Sequence, residues 1–234
     1  MTLSCDYCDE LHGLETIYHK IYGSRNRIVH ETKSFIVFPC MGQLREGHLL
    51  VASKAHKNAI GMLDMEAIKE LESLVSKITI FFRDIYNQDL LCFEHGVLDD
   101  NGVNGGCGIY HMHLHLIPAD RQEFSSVVRL IQDDDANIVC SSQGLLDTCN
   151  CVATKKTYVF LSLFSKREEQ TSFIVTSNNN FFESQYMRKI ICKVFGKADW
   201  DWRQIKSPEF ELINTLEKSH MFLDSTQLNK IPHL

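Results

Sequence analysis

The stretch Tyr110-His111-Met112-His113-Leu114-His115-Leu116-Ile117-Pro118 places three imidazoles at every second position, with apolar residues between and after them. Strict period-two alternation predicts a β-strand with the histidines on one face and Met112, Leu114 and Leu116 on the other. At strand rise, neighbouring histidines stand ~6–7 Å apart. A face built only for packing would not carry three side chains with two ring nitrogens each to satisfy. The bland alternative is an exposed polar face or an adventitious metal ladder. An imidazole can attack phosphorus, expel a leaving group and hold the phosphoryl fragment as a phosphoramidate. Water then releases it, so one hard displacement becomes two easier ones.

Other residues could join that chemistry. Cys5-Asp6-Tyr7-Cys8 is a C-x-x-C, open by itself to zinc or redox use. Zinc is the expectation, because the redox motif opens a helix after a strand and four residues leave no room for one. Tetrahedral structural zinc needs two further Cys or His ligands from elsewhere. The run Asp99-Asp-Asn101-Gly-Val-Asn-Gly-Gly106-Cys107-Gly108 is rich in residues whose backbone can approach a ligand closely. Its position beside the histidine strand makes Asn101, Gly106, Cys107 and Gly108 candidate phosphate contacts rather than a plain solvent loop. His95 either faces the same site or closes a strand. Gln185 and Arg188 are candidates for the leaving group, since a guanidinium suits phosphate; a helix-surface arginine is the commoner case. Trp200 and Trp202 read as core or rim aromatics.

The elements that must position these groups follow from periodicity. Residues 9–22 read as a short amphipathic helix, and residues 27–30, 34–38 and 48–52 as three strands between polar turns. Asp64 is a candidate N-cap for a long helix reaching Tyr86, with an apolar stripe through Ile68, Leu71, Leu74, Val75, Ile78, Phe82 and Ile85. A strand at 90–93 leads to His95. Beyond Pro118 come a helix at 124–131, an acidic turn at 133–135, and strands at 158–164 and 171–176 joined by a charged turn. A helix at 185–195 is capped by Ser184 and stopped by Gly196, and a polar helix covers about 208–219. Neither a repeat nor a low-complexity linker is evident.

The 234 residues suffice for one large domain or a core with an appended layer, and 44% apolar with 23% charged residues is ordinary for a globular chain. A formal charge of −6 argues against binding of extended nucleic acid. No apolar run is long enough to span a membrane, and no export signal is seen. The nine cysteines then imply a reducing, cytoplasmic compartment rather than a disulfide scaffold.

The pattern His-φ-His-φ-His-φ-φ, with φ apolar, is matched at every position of 111–117 and resembles the signature of the histidine triad (HIT) family. Gly105-Gly106-Cys107-Gly108 before it, and Gly47-His48-Leu49-Leu50-Val51 with Lys54 and His56, look like the family's approach turn, preceding strand and following turn. The resemblance covers roughly residues 5–120. It implies an α+β fold: a HIT-like antiparallel sheet with flanking helices over residues 1–120. Residues 121–234 would form a C-terminal α/β extension packed on that core. Ser184-Gln-Tyr-Met-Arg188 and Trp200-Asp-Trp-Arg203 are similar to the tail of some longer bacterial members.

The resemblance further implies that His113 is the nucleophile and that His115 binds the non-bridging oxygens. In zinc-bearing bacterial members the remaining metal ligands come from positions that are His56 and His111 here, so one structural Zn2+ held by Cys5, Cys8, His56 and His111 is implied. The transferase branch carries Gln at the third triad position; His115 favours hydrolysis. Two features depart from the hydrolase pattern: Cys107-Gly108 stands where a Gln-Ser pair is usual, and Phe38, Pro39 or Cys40 where an acidic ribose ligand is usual. The implied activity is hydrolysis of a phosphoanhydride, phosphoramidate or phosphoester bond of a nucleotide-like small molecule through a covalent His113 intermediate. The alternatives are a nucleotidyl- or phosphotransferase using the same intermediate, or a non-catalytic nucleotide-binding zinc protein. Pairing as a homodimer through the core helix and sheet edge is the expected assembly, with the extension covering that edge as the other arrangement.

Overall fold

The structure, a computed structural model, describes residues 5–23, 26–98, 108–134, 136–142, 144–152, 157–165, 170–177 and 182–228. Two short helices, α1 (Asp6–Leu11) and α2 (Ile17–Tyr22), precede strands β1 (His30–Glu31), β2 (Phe35–Pro39) and β3 (Leu49–Ser53). Helix α3 (Met65–Tyr86) leads to β4 (Asp89–Val97) and β5 (His113–Ala119). Then follow α4 (Arg121–Asp133), β6 (Asn137–Ser142), α5 (Leu145–Val152), β7 (Thr157–Phe164), β8 (Thr171–Thr176), α6 (Tyr186–Phe195) and α7 (Phe210–Leu228).

The described strands form one sheet in the order β1-β2-β3-β5-β4-β7-β8-β6, and each neighbouring pair is antiparallel. The fold is α+β, an antiparallel sheet with helices on both faces. The sheet continues past residue 120, because β7 pairs with β4 from Leu90–Phe164 to Val97–Thr157.

Parity sorts the two faces. Leu49, Val51, Leu90, Cys92, Leu114, Leu116, Tyr158 and Phe160 pack with the apolar stripe of α3 and with α5. The long stripe forms because α3 is capped as its sequence suggests: Asp64 accepts a hydrogen bond from the Ala67 amide at 2.9 Å, and Asn87 closes the far end in the left-handed region. On the other face, Leu91, Phe93, Ile117, Val159 and Leu161 pack under α4 and α6. At its opposite end Ile36, Phe38, Leu50 and Ala52 pack under Tyr7 of α1. The triad histidines emerge between these two groups of helices.

Several sequence expectations need correction. The helix over 9–22 is broken in two. Gly13 takes φ +72, and α2 restarts on a capping box in which the Thr16 amide donates to His19 Nδ1. The histidine strand begins at His113 rather than His111, because the amides of His111 and Met112 bond to Ile109 and Lys57 carbonyls instead of the ladder. Ile85 is 42% exposed, at the end of the stripe rather than within it. Ser184 does not cap α6; the N-cap is Gln185, at φ 61 and ψ 30 with no side-chain cap. The last helix runs on to Leu228, and β6 and α5 were not foreseen. Most of the acidic and charged turns, at residues 135 and 166–169, lies outside the described residues.

Candidate active site and metal centre

At the base of the triad, four side chains from three segments converge. Cys5 Sγ lies 3.3 Å and Cys8 Sγ 3.5 Å from His111 Nδ1, and Cys8 Sγ lies 3.3 Å from His56 Nδ1. All four donor atoms fall within 4.8 Å of one another, so this group could hold a metal ion. The other nitrogen of His111, Nε2, lies 2.6 Å from the Ser53 carbonyl oxygen. Nε2 must therefore carry the proton it donates, which leaves the Nδ1 lone pair facing the sulfurs. Burial and the adjacent Cys5 push the Cys8 thiol up to about 11; a dication in the cluster would reverse that tendency. Tyr7, between the two cysteines, packs edge-on against His111 and His113 with ring centroids 5.6 and 5.4 Å away, so α1 joins the cluster to the triad.

His113 is oriented by its own strand. Its Nδ1 lies 2.6 Å from the His111 carbonyl oxygen and donates to it, so Nε2 keeps a lone pair. Burial drives its pKa down to about 4, which keeps the ring neutral near pH 7. His115 is pinned by a longer relay. The Leu44 amide donates to His48 Nδ1 at 3.3 Å, and His48 Nε2 lies 2.9 Å from His115 Nδ1. His48 therefore donates from Nε2, and the proton of His115 sits on its own Nε2. Phe93 lies flat against His115, with centroids 4.2 Å apart and planes at 6°. Burial holds both His48 and His115 well below the ordinary histidine value. Where His113 offers a lone pair, His115 offers a proton.

The two rings open into a cavity of about 670 Å³, its mouth included. Tyr18, Arg27, Cys40 and Met41 line part of its wall. There Arg27 grips Glu10 with Nε at 2.7 Å and Nη2 at 2.5 Å, and its guanidinium lies over Tyr18 and Phe38. His95, Gln185, Arg188 and Trp202 also line it. Arg188 is buried and donates to Trp200 O at 2.7 Å and Gly42 O at 2.6 Å, so it contributes charge to the wall while its donors are largely engaged. Gln185 donates to Asp201 Oδ1 at 2.6 Å and secures the turn that carries Trp202. Gly108 borders the cavity close under that indole: a Cβ there would stand 3.1 Å from Trp202 Nε1. The candidates Asn101, Gly106 and Cys107 lie outside the described residues.

Cys40, His48 and His115 form a second tight group of donor atoms. The His48–His115 pair already shares a proton, and Arg188 Nη1 stands 3.6 Å from Cys40 Sγ, so a cation there would meet a guanidinium. His48, Tyr7, Arg27 and Trp202 were not singled out from the sequence as site residues. The sequence marked His48 only as part of a strand resembling the family's; in the structure Leu50 pairs with His115, and His48 shares the Leu50 face.

Residues 15–128 match the family described as "Scavenger mRNA decapping enzyme C-term binding". The protein named "Protein hit" of Bacillus subtilis is 30% identical over 90 residues, which cover 38% of this chain and 59% of that relative. Among solved structures, a HIT family protein from Bacillus anthracis is 29% identical, covering 50% of this chain and 74% of its own at a TM-score of 0.37. A zinc-bound histidine triad family protein from Mycobacterium smegmatis is 17% identical, covering 50% and 76% at a TM-score of 0.37. Residues 15–128 carry both this match and the triad geometry above, and over them the chain is similar to the histidine triad family. No helix among the described residues is long and apolar enough to cross a membrane.

Proposed function

We propose that this chain hydrolyses a phosphoanhydride, phosphoramidate or phosphoester bond of a nucleotide-like small molecule through a covalent intermediate on His113. The observation that carries the reading is the pair of complementary tautomers in one cavity: His113 with Nε2 unprotonated, His115 with Nε2–H. His113 Nε2 attacks phosphorus while the bond to the leaving group breaks, and the leaving group departs with the bonding pair. His115 donates to a non-bridging oxygen as charge accumulates there. Water then attacks the phosphoramidate, and His113 leaves as a neutral ring once the water proton has been lost to solvent. A nucleotide substrate is in keeping with the name of the matched family. The wall by Tyr18 and Arg27 would take the base and sugar, and the charge of Arg188 would face the phosphate side.

The metal in this reading is one zinc ion. Zinc–ligand bonds of about 2.3 Å to sulfur and 2.0–2.1 Å to nitrogen place tetrahedral neighbours about 3.3–3.8 Å apart. The 3.3, 3.3 and 3.5 Å separations between sulfurs and imidazole nitrogens fit that spacing. Cys5, Cys8, His56 and His111 would hold it, and it would supply structure rather than a reacting centre. The free cysteines among the described residues accord with a reducing, cytoplasmic compartment. Residues 121–234 would serve as an extension that walls the cavity of a catalytic core at 1–120.

Single-turnover kinetics test the assignment of roles. His113→Ala is expected to abolish turnover of a nucleoside phosphoramidate or dinucleoside polyphosphate, with melting temperature nearly unchanged. His115→Ala is expected to slow it by about 100- to 1,000-fold, the usual effect of losing one oxyanion donor. Near wild-type turnover by His113→Ala, with His115→Ala inactive, would exchange the roles and refute the reading.

A further inference from the structure

The turn between β2 and β3, residues 40–48, delivers His48 to His115, and a buried side chain spans it. Gln43 Nε2 donates to the carbonyl oxygens of Cys40 and His48, both at 2.8 Å. Its Oε1 accepts from the His48 amide at 3.2 Å. Both amide protons of Gln43 are thus engaged on the two ends of the turn. The next residue, Leu44, supplies the amide that donates to His48 Nδ1.

The turn is anchored from the far end of the chain. Thr215 of α7 is fully buried; its hydroxyl accepts from the Gly47 amide at 2.7 Å and lies 3.0 Å from Gln43 Oε1. The Glu211 carbonyl, 2.7 Å away, is the other acceptor for its proton. Glu209, just before α7, receives the successive amides of Gly42 at 2.7 Å and Gln43 at 3.1 Å, one on each carboxylate oxygen. Gly42 stands at φ +68, and neighbouring amides turned toward one anion form a stable nest. Tyr22 of α2 donates to the same carboxylate at 3.0 Å. Neither Thr215 nor Glu209 lines the cavity.

We infer that α7 is a positioning element for the reaction: through Thr215, Glu209 and Gln43 it holds the turn in the arrangement that keeps a proton on His115 Nε2. The inference rests on the phosphoryl-transfer reading of the cavity, in which that proton meets the non-bridging oxygen. The bond between the two rings has a direction. With the Leu44 amide on Nδ1, His48 donates from Nε2 to His115 Nδ1. Were the turn to shift and that amide withdraw, His48 could carry its proton on Nδ1 and accept from His115 Nδ1. Both rings would stay neutral with one proton each, but His115 would face the cavity with a lone pair. This gives the C-terminal extension a part in the chemistry without a contact to substrate, because α7 lies outside the matched residues 15–128.

Thr215→Val removes the hydroxyl, and Thr215→Ser restores it. In single-turnover kinetics Thr215→Val is expected to lose about tenfold in rate, part of what removal of an oxyanion donor costs, with substrate affinity nearly kept. Thr215→Ser is expected to stay within about twofold of the wild type. In a His115→Ala background Thr215→Val is expected to cost nothing further, because its effect runs through the ring that is gone. Equal losses in the two backgrounds would overturn the inference. Glu209→Gln takes the acceptor from one amide of the same turn, and the same non-additivity is expected of it should Thr215→Val fold poorly. The imidazole 15N spectrum reads the relay without turnover, with the rings assigned by their loss in His48→Ala and His115→Ala. In the wild type Nδ1 of both rings is expected to be unprotonated, and in Thr215→Val protons are expected to appear there. Spectra that do not change would overturn the inference even if the rate fell. Full activity of His115→Ala would overturn the phosphoryl reading instead, and the spectra alone would then decide the relay.

Discussion

At the scale of single residues, backbone groups decide where the protons of the site reside. Ser53 O fixes His111, His111 O fixes His113, and the Leu44 amide fixes His48 and through it His115. Alternation made the three histidines legible in the sequence, because period two is a local property. The tautomers were not legible, since each depends on a carbonyl, amide or ring brought in by folding. The same holds for Glu94, which parity turns toward the core. It is 1% exposed, accepts hydrogen bonds from the Ile60 amide and the Tyr158 hydroxyl at 2.7 Å each, and is pushed by burial from 4.5 to about 8. An acid whose folded pKa is raised holds more protons when folded between its two pKa values. Its contribution to stability therefore falls as pH rises from about 4.5 to about 8. Glu94→Gln keeps an acceptor for the Ile60 amide and a donor toward Tyr158 but cannot ionise. Urea denaturation at pH 5 and pH 9 is expected to show the wild type losing several kcal/mol relative to this variant, because each tenfold change in proton affinity is worth about 1.4 kcal/mol. Parallel stabilities at the two pH values would contradict a buried neutral carboxyl.

At the scale of elements, the strands and helices with strong periodicity stand where the sequence places them, and α3 is the clearest case because both its cap and its stripe are local. Strand β6 was missed because Asn137-Ile-Val-Cys-Ser-Ser142 is half polar and sits at the sheet edge, paired to β8 across a register shift. Helix α5, Leu-Leu-Asp-Thr-Cys-Asn-Cys-Val, has little helix propensity of its own and gains its place from packing on α3. Helix α1 has only six residues, too few to be stable alone. The proposed zinc ion would tie it to the sheet through Cys5 and Cys8, and with it the Tyr7 ring that walls His113. Chelation with a strong zinc ligand is therefore expected to lower the melting temperature by several degrees, and Cys8→Ser to do so without chelator. The purified chain is expected to carry one zinc by elemental analysis. A metal-free chain with an unchanged melt would rule out a structural zinc.

At the scale of the molecule, the extension does two things that residues 1–120 cannot do alone. Its strand β7 lies along β4, an edge that residues 1–120 would otherwise leave open, and its helix α6 contributes Arg188 to the cavity wall. Of the two arrangements the sequence left open, coverage of that edge within one chain is the one the topology favours. Light scattering is accordingly expected to give a monomer mass at all concentrations. A stable dimer would mean that another surface mediates pairing. Composition showed only that the chain could include such a layer; which strand it would extend is a long-range pairing with no local signal.

The proposed catalysis rests on a covalent bond to one nitrogen. Wild-type protein mixed with a nucleoside phosphoramidate or dinucleoside polyphosphate, quenched in alkali within the first turnover, would be digested and its peptides weighed. Phosphoramidates on histidine survive base, so the expected result is a nucleoside monophosphate on the peptide containing His113, absent from the His113→Ala chain. Turnover by the wild type without any adduct, or an adduct that persists in His113→Ala, would contradict nucleophilic catalysis by His113.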